Sequence, residues 1–240
     1  MPSDDFMERA DDEREMTAIA DDIDDLDDAR EFGDDHADEE DTDTVTFASL
    51  GLPEEILAAV TDMGFRVPTP IQAAAIPPLL ELRDVVGIAQ TGTGKTAAFG
   101  LPLLAIVDAD ERNVQALVLA PTRELAMQSA QAIEDFAART ARLDVVPVYG
   151  GSPYGPQIGA LKRGAQVVVG TPGRVIDLIE KGALDLSHVR MLVLDEADEM
   201  LRMGFAEDVE TIASSAPDDR LTALFSATMP AAIEKVAREH

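Results

Sequence analysis

The stretch DVVGIAQTGTGKT, residues 84–96, decides how the rest of the chain is read. Its first half is a short aliphatic run and its second half is two glycines spaced around a threonine, then Lys95 and Thr96. Glycines let consecutive backbone N–H groups turn inward around phosphate oxygens, and a helix starting at the lysine adds its positive end. The pattern predicts a strand, a phosphate loop over Ala89, Gln90, Thr91, Gly92, Thr93 and Gly94, and a helix. Lys95 then reaches the outer phosphates and the Thr96 hydroxyl meets Mg²⁺. Such loops usually begin with glycine where this chain has Ala89, a position that ends the strand. A flexible Gly-Thr turn is the bland alternative, and the strand before and helix after weigh against it.

Outward from this stretch the pattern repeats. Aliphatic runs recur as QALVLA from 115, LDVVPVY from 143, AQVVVG from 165, VRMLVLD from 189 and RLTALFSA from 220. Each is nearly continuous in Val, Leu and Ile, as strands buried on both faces are. The segments between have helical periodicity, which predicts an α/β fold: an open parallel sheet covered by helices on both faces. Such sheets bind ligands at the carboxyl ends of their strands. The chemically unusual residues fall there: PTRE after the second run, GG after the third, TPGR after the fourth, DEAD after the fifth and SAT after the sixth.

LVLDEAD, residues 192–198, ends a buried-looking strand in three carboxylates. Beside a phosphate loop, Asp195 suits a Mg²⁺ bridging the β and γ phosphates, and Glu196 suits a base that orients water. Alone, such acids read as a helix start that complements the dipole. Ser226 and Thr228 read equally as a helix cap before Met229 and Pro230. In GFRVPTPIQ, residues 64–72, Gln72 can pair with adenine and Phe65 can stack on it, although a Pro-Thr-Pro helix start with a core Phe is the commoner meaning. Arg123, Arg174 and the nearby threonines and glycines suit contact with a phosphodiester backbone, and each also suits a cap or turn. The His and Tyr residues show no ligand or catalytic spacing.

Charge divides the chain. Residues 1–43 hold 21 acidic residues against 3 Arg, a net of −18, and the other 197 hold 26 against 16, a net of −10. The first block repels itself and reads as a disordered, solvated tail. Met16, Ile19, Ile23 and Leu26 within it are spaced for a thin stripe on a transient helix. Residues 44–83 read as a cap segment ahead of the sheet, and 84–240 as the sheet domain. The remaining −10 argues against a broadly basic face, so any nucleic-acid contact is local. There is no cysteine, which excludes disulfides and thiolate metal sites. No apolar run is long enough to span a bilayer, and a cytoplasmic setting with no membrane partner is expected.

Taken together, GFRVPTPIQ, AQTGTGKT, PTRELA, Gly150-Gly151, TPGR, DEAD and SAT resemble, in order and rough spacing, the first RecA-like domain of DEAD-box ATP-dependent RNA helicases. The wording around TPGR and DEAD is most similar to the bacterial cold-shock DeaD branch. The resemblance covers residues 45–240 and implies a phosphate-loop NTPase that uses ATP and Mg²⁺ to remodel short RNA duplexes. It implies that Phe65 and Gln72 recognise adenine with Phe47 nearby, that residues 89–96 hold ATP, that Asp195 and Thr96 bind Mg²⁺, and that Glu196 and Lys95 serve catalysis. Pro121, Thr122, Arg123, Gly150, Gly151, Thr171, Pro172, Gly173 and Arg174 would line the RNA surface. Asp198 would bond to Ser226 and Thr228, coupling the two sites. It implies as well a second RecA-like domain carrying an arginine finger, which residues after 228 are too few to supply. The chain is therefore expected to be a fragment that binds nucleotide and hydrolyses it poorly. An RNA clamp gated by ATP is the competing reading, and a metabolic kinase leaves PTRE, TPGR and SAT without a purpose.

Overall fold

The computed structural model describes residues 17–20, 45–138, 143–229 and 231. Seven parallel strands form one sheet in the order β1-β2-β7-β6-β3-β5-β4. Six of them are the aliphatic runs: β2 (Val85–Ile88), β3 (Ala116–Leu119), β4 (Val145–Val148), β5 (Val167–Gly170), β6 (Met191–Leu194) and β7 (Leu221–Ser226). Register aligns Ile88 with Ser226, Leu194 with Leu119, and Gly170 with both Leu119 and Val148. These residues share the carboxyl edge, so every unusual motif leaves the sheet at that edge.

Side chains alternate along each strand, and here both faces are apolar. Ala116, Val118, Val167, Val169, Met191, Val193, Ala223 and Phe225 belong to one core, and Leu117, Leu119, Val168, Leu192, Leu194 and Leu224 to the other. The first core is closed by α1 (Glu54–Asp62), α2 (Pro70–Leu80), α3 (Lys95–Ile106) and α4 (Arg123–Ala137), which contribute Ile56, Ile76, Leu101 and Ile133. The second is closed by α6 (Pro172–Glu180), α7 (Ala197–Arg202) and α8 (Ala206–Ala213), which contribute Leu178, Met200 and Ile212. Helix α5 (Tyr154–Lys162) packs beside β4. Gly87 is required by packing: a Cβ there would lie 2.7 Å from the Phe225 ring. That ring in turn leans on Phe99, with centroids 5.5 Å apart.

A 3₁₀ turn (Phe47–Leu50) and helices α1 and α2 lie over the α3 side of the sheet. Pro70 opens α2, where a missing N–H costs nothing, and Thr69 with Gln72 forms a capping box. The tail departs from expectation in one place. Thr17–Ala20 is β1, paired parallel with β2, where the 3, 4, 3 spacing through Ile19 suggested a helix. Residues 16–20 are the stretch of the tail's middle free of acids, and Thr17 and Ile19 are β-branched, so pairing with the open edge of β2 overrides the local period. The rest of the expected disordered tail lies outside the described residues, as do residues 232–240.

Candidate nucleotide and RNA site

Gly92 and Gly94 take left-handed backbone angles, φ 89° and 94°, which turn the loop after β2 before α3 starts at Lys95. Lys95 is only 5% exposed. Its ammonium donates to Glu196 Oε1 at 2.8 Å and to the Ala89 carbonyl at 3.2 Å. The Thr91 hydroxyl donates to the same Glu196 oxygen at 2.7 Å, and Thr93 closes the loop on the Gln90 carbonyl. Thr96 follows Lys95 in the first turn of α3. Glu196 itself sits at φ 53°, a conformation that costs a non-glycine residue about 1 kcal/mol or more. The strain is offset by the two donors that converge on its carboxylate.

Asp195 directly follows β6 and is 5% exposed. Burial pushes its carboxyl up to about 6, with Lys95 pulling down and Glu196 pushing up. One of its oxygens, Oδ1, is buried without a hydrogen-bond partner. A buried carboxylate oxygen left unsatisfied beside a phosphate loop fits a hard cation, which takes oxygen ligands and keeps most of its water and phosphate partners. Asp198 has the opposite balance. Burial alone would raise it, but bonds from the Thr228 and Ser226 hydroxyls and from the Glu199 and Ala227 amides outweigh burial and hold it below its ordinary value. Thr228 reaches Asp198 Oδ2 at 2.8 Å, and the Asp198 amide donates to Ser226 Oγ at 3.3 Å. The turn after β6 thus touches the phosphate loop with Glu196 and the SAT residues with Asp198.

The base-recognition candidates are placed less simply. Gln72 is 3% exposed and both ends of its amide are engaged: Oε1 accepts from the Thr69 amide at 3.0 Å and Nε2 donates to the Gly94 carbonyl at 3.1 Å. It is therefore a tether between the cap and the phosphate loop. A Cβ on Gly94 would come within 2.4 Å of that amide nitrogen, so glycine is needed there for contact as well as for its angle. Phe65 is half-buried, edge-on to Phe47 at 5.9 Å and to Phe136 at 6.2 Å. Phe47 is buried in the first core.

The remaining candidates gather at the ends of β3, β4 and β5. Arg123, Gly150, Gly151 and Gly173 are exposed, Thr122 and Thr171 half-exposed, Pro121 and Pro172 buried. The Thr122 hydroxyl caps α4. Arg174, expected to face outward, is 7% exposed and donates to the Ser152 carbonyl and to Gln157. Three residues with no sequence signal join them. Tyr149 lies 4.7 Å under the Arg123 guanidinium, Tyr154 lies 4.1 Å from that of Arg174, and Gln157 is buried between. No helix among the described residues is long and apolar enough to cross a membrane.

A parallel sheet with a phosphate loop after one strand, an acidic turn after another and both on its carboxyl edge defines a RecA-like nucleotide-binding domain. The chain belongs to the DEAD/DEAH box helicase family, whose description matches residues 69–236. It is 58% identical over 197 residues to the "ATP-dependent RNA helicase DeaD" of Haemophilus influenzae, covering 82% of this chain and 32% of that one. The protein of the same name from Mycobacterium tuberculosis is 57% identical over 195 residues, covering 81% and 35%. The chain thus spans about a third of the length of these relatives. Among solved structures it superposes on a DEAD box protein from Methanococcus jannaschii with TM-score 0.77 at 45% identity, covering 81% of this chain and 53% of that one. A hypothetical ATP-dependent RNA helicase from Sulfolobus tokodaii follows with TM-score 0.72 and 41% identity, covering 78% and 54%.

Proposed function

We propose that the chain is the ATP-binding and RNA-binding first half of an RNA helicase, completed by a second RecA-like domain, that uses ATP to separate or remodel short RNA duplexes. The observation that carries this reading is the turn after β6, which holds the phosphate loop through Glu196 and the SAT hydroxyls through Asp198. A nucleotide that takes Lys95 away from Glu196 changes one end of that turn, and the other end lies toward the surface formed by PTRE, GG and TPGR. RNA-stimulated ATP hydrolysis, measured with and without the second domain, tests the reading. Absence of any RNA effect on the two-domain protein would defeat it.

The residues take these parts. Residues 89–94 and Lys95 bind the phosphates, and Thr96 and Asp195 would hold Mg²⁺, which would supply positive charge to the phosphate chain. Glu196, freed from Lys95, orients a water and accepts its proton. Glu196→Gln should keep Mg²⁺-ATP binding and abolish residual turnover, because the amide can position water but cannot accept a proton. Hydrolysis by that variant at the unsubstituted rate would remove Glu196 from the role.

Adenine is read at the cap, where the second amide hydrogen and second oxygen lone pair of Gln72, beyond those bonded to Gly94 and Thr69, match the base. Since Gln72 also grips Gly94, Gln72→Ala should weaken ATP and GTP together and, in addition, bring their ratio toward one, a loss of about tenfold in preference. Dissociation constants for both nucleotides decide this. An unchanged ratio contradicts adenine readout and leaves Gln72 as a tether alone.

A further inference from the structure

Two arginines mark the face assigned above to RNA, and the structure treats them differently. Arg123 is exposed at the start of α4 with its guanidinium lying on the Tyr149 ring. Arg174 is turned inward. Its Nη1 donates at 3.0 Å to both the Ser152 carbonyl and Gln157 Oε1, its plane lies on the Tyr154 ring, and its Nε is 3.8 Å from Asp177, which accepts from the Tyr154 hydroxyl. A guanidinium grips phosphate by presenting two parallel N–H groups to it. One that is 7% exposed, with Nη1 committed to a loop carbonyl and a buried amide and Nε buried without a hydrogen-bond partner, is shut away from a phosphate at the surface.

Gln157 connects the pieces. It is 6% exposed on α5, and its amide spans the face from beneath: Nε2 donates to the Tyr149 carbonyl at 3.3 Å while Oε1 accepts from Arg174. Tyr149 carries Arg123 on its ring, and the Ser152 carbonyl held by Arg174 closes the Gly150-Gly151 loop. PTRE, GG and TPGR leave three different strands, and the ladder between the last two ends with the Thr171 amide on the Val148 carbonyl. Past it, the buried Gln157 amide links the start of the GG loop to Arg174.

We propose that Gln157 is a positioning residue of the RNA face, bracing the Tyr149–Ser152 loop against Arg174, and that arginine contact with the RNA backbone falls to Arg123. This rests on the RNA-binding reading above. Buried polar groups of this kind hold a geometry because leaving either partner unsatisfied is costly. Losing the amide leaves the Tyr149 carbonyl and an Arg174 N–H without partners, and frees the Gly-Gly loop, whose Gly151 already uses φ 75°.

The test is binding of a single-stranded oligouridylate to residues 1–240 at several salt concentrations, with ATP affinity measured in parallel. Gln157→Leu keeps volume and charge. It should lower RNA affinity about fivefold, the net scale of one hydrogen bond, with the salt slope unchanged, ATP affinity unchanged and faster amide exchange at Gly150–Ser152. Arg123→Gln should instead reduce the slope of log K against log salt by about 0.7, one released counterion on a single strand. Arg174→Gln should behave as Gln157→Leu does. Unaltered RNA affinity in Gln157→Leu overturns the proposal, as does a fall in ATP affinity that matches the fall for RNA, which marks general unfolding. A slope change in Arg174→Gln equal to that in Arg123→Gln overturns the division between the arginines. Failure of the unsubstituted chain to bind the oligonucleotide at low salt removes the RNA-binding reading itself, a result distinct from all of these.

Discussion

ATP turnover by residues 1–240 in the presence of RNA is expected to be at least about a thousandfold slower than turnover by the same chain joined to the second RecA-like domain proposed for it. The estimate comes from the arginine finger, which contributes roughly a thousandfold or more in related phosphoryl transfers. Lys95, Asp195 and Glu196 all belong to this domain's phosphate loop and the turn after β6. Lys95 is the described cation that reaches the Glu196 carboxylate, at 2.8 Å, and it belongs to the floor of the loop. Glu196 can direct a water, but charge accumulating on the far oxygens needs a cation from across the cleft. Pre-steady-state hydrolysis by the single domain, then with the second domain fused, measures the factor. Equal RNA-stimulated rates would show that this domain fires ATP alone and would end the reading as a half-site. ATP binding is expected to persist throughout, since the loop and the Gln72 tether are complete.

Much of that site was legible because its chemistry lies in contiguous residues at strand ends. The runs at 84, 115, 143, 165, 189 and 220 became β2 to β7 since each is apolar on both faces, and a strand buried on both sides has no other way to read. Asp198 meeting Thr228 followed from a resemblance and the geometry brings the two together. What the sequence hid depends on contacts between distant segments. Gln157 sits 17 residues from Arg174 and 8 from Tyr149 on a helix of weak polarity contrast, and a glutamine there looks like a solvated surface residue. Tyr149 and Tyr154 showed no catalytic spacing because their partners are guanidinium groups from other elements. Arg174 was expected on the RNA surface because its guanidinium suits phosphate and the resemblance places TPGR there; in the structure it is buried against Tyr154 and Gln157. The packing of Phe47 on Phe65 within the core was likewise not legible from the sequence. Ile19 was read by its helical spacing, and the strand edge of β2, paired with it at an offset of 68 positions, took its segment as β1.

Asp195→Asn is expected to raise the stability of the nucleotide-free domain while removing most of its Mg²⁺-dependent ATP affinity. The Asp195 carboxyl is lifted from an ordinary 3.8 to about 6, chiefly by burial. A carboxyl raised on folding binds its proton more tightly in the folded state, so its contribution is most favourable below the ordinary value and is lost as pH rises through 6. At pH 8 both states are ionised, and the folded one carries a buried, incompletely satisfied charge at a cost of about 3 kcal/mol. Asparagine carries none, so urea unfolding in chelator should show the variant more stable by up to about 3 kcal/mol at pH 8, with roughly half that gap at pH 5. Equal stability at both pH values would mean that Asp195 is not strained by burial. The same substitution removes the carboxylate whose Oδ1 has no partner inside the protein. If that oxygen is the cation's ligand, magnesium should strengthen ATP binding to the unsubstituted chain and hardly affect the variant. The two measurements then locate one cause: the charge that burial disfavours is retained because a cation and a phosphate chain relieve it when they bind.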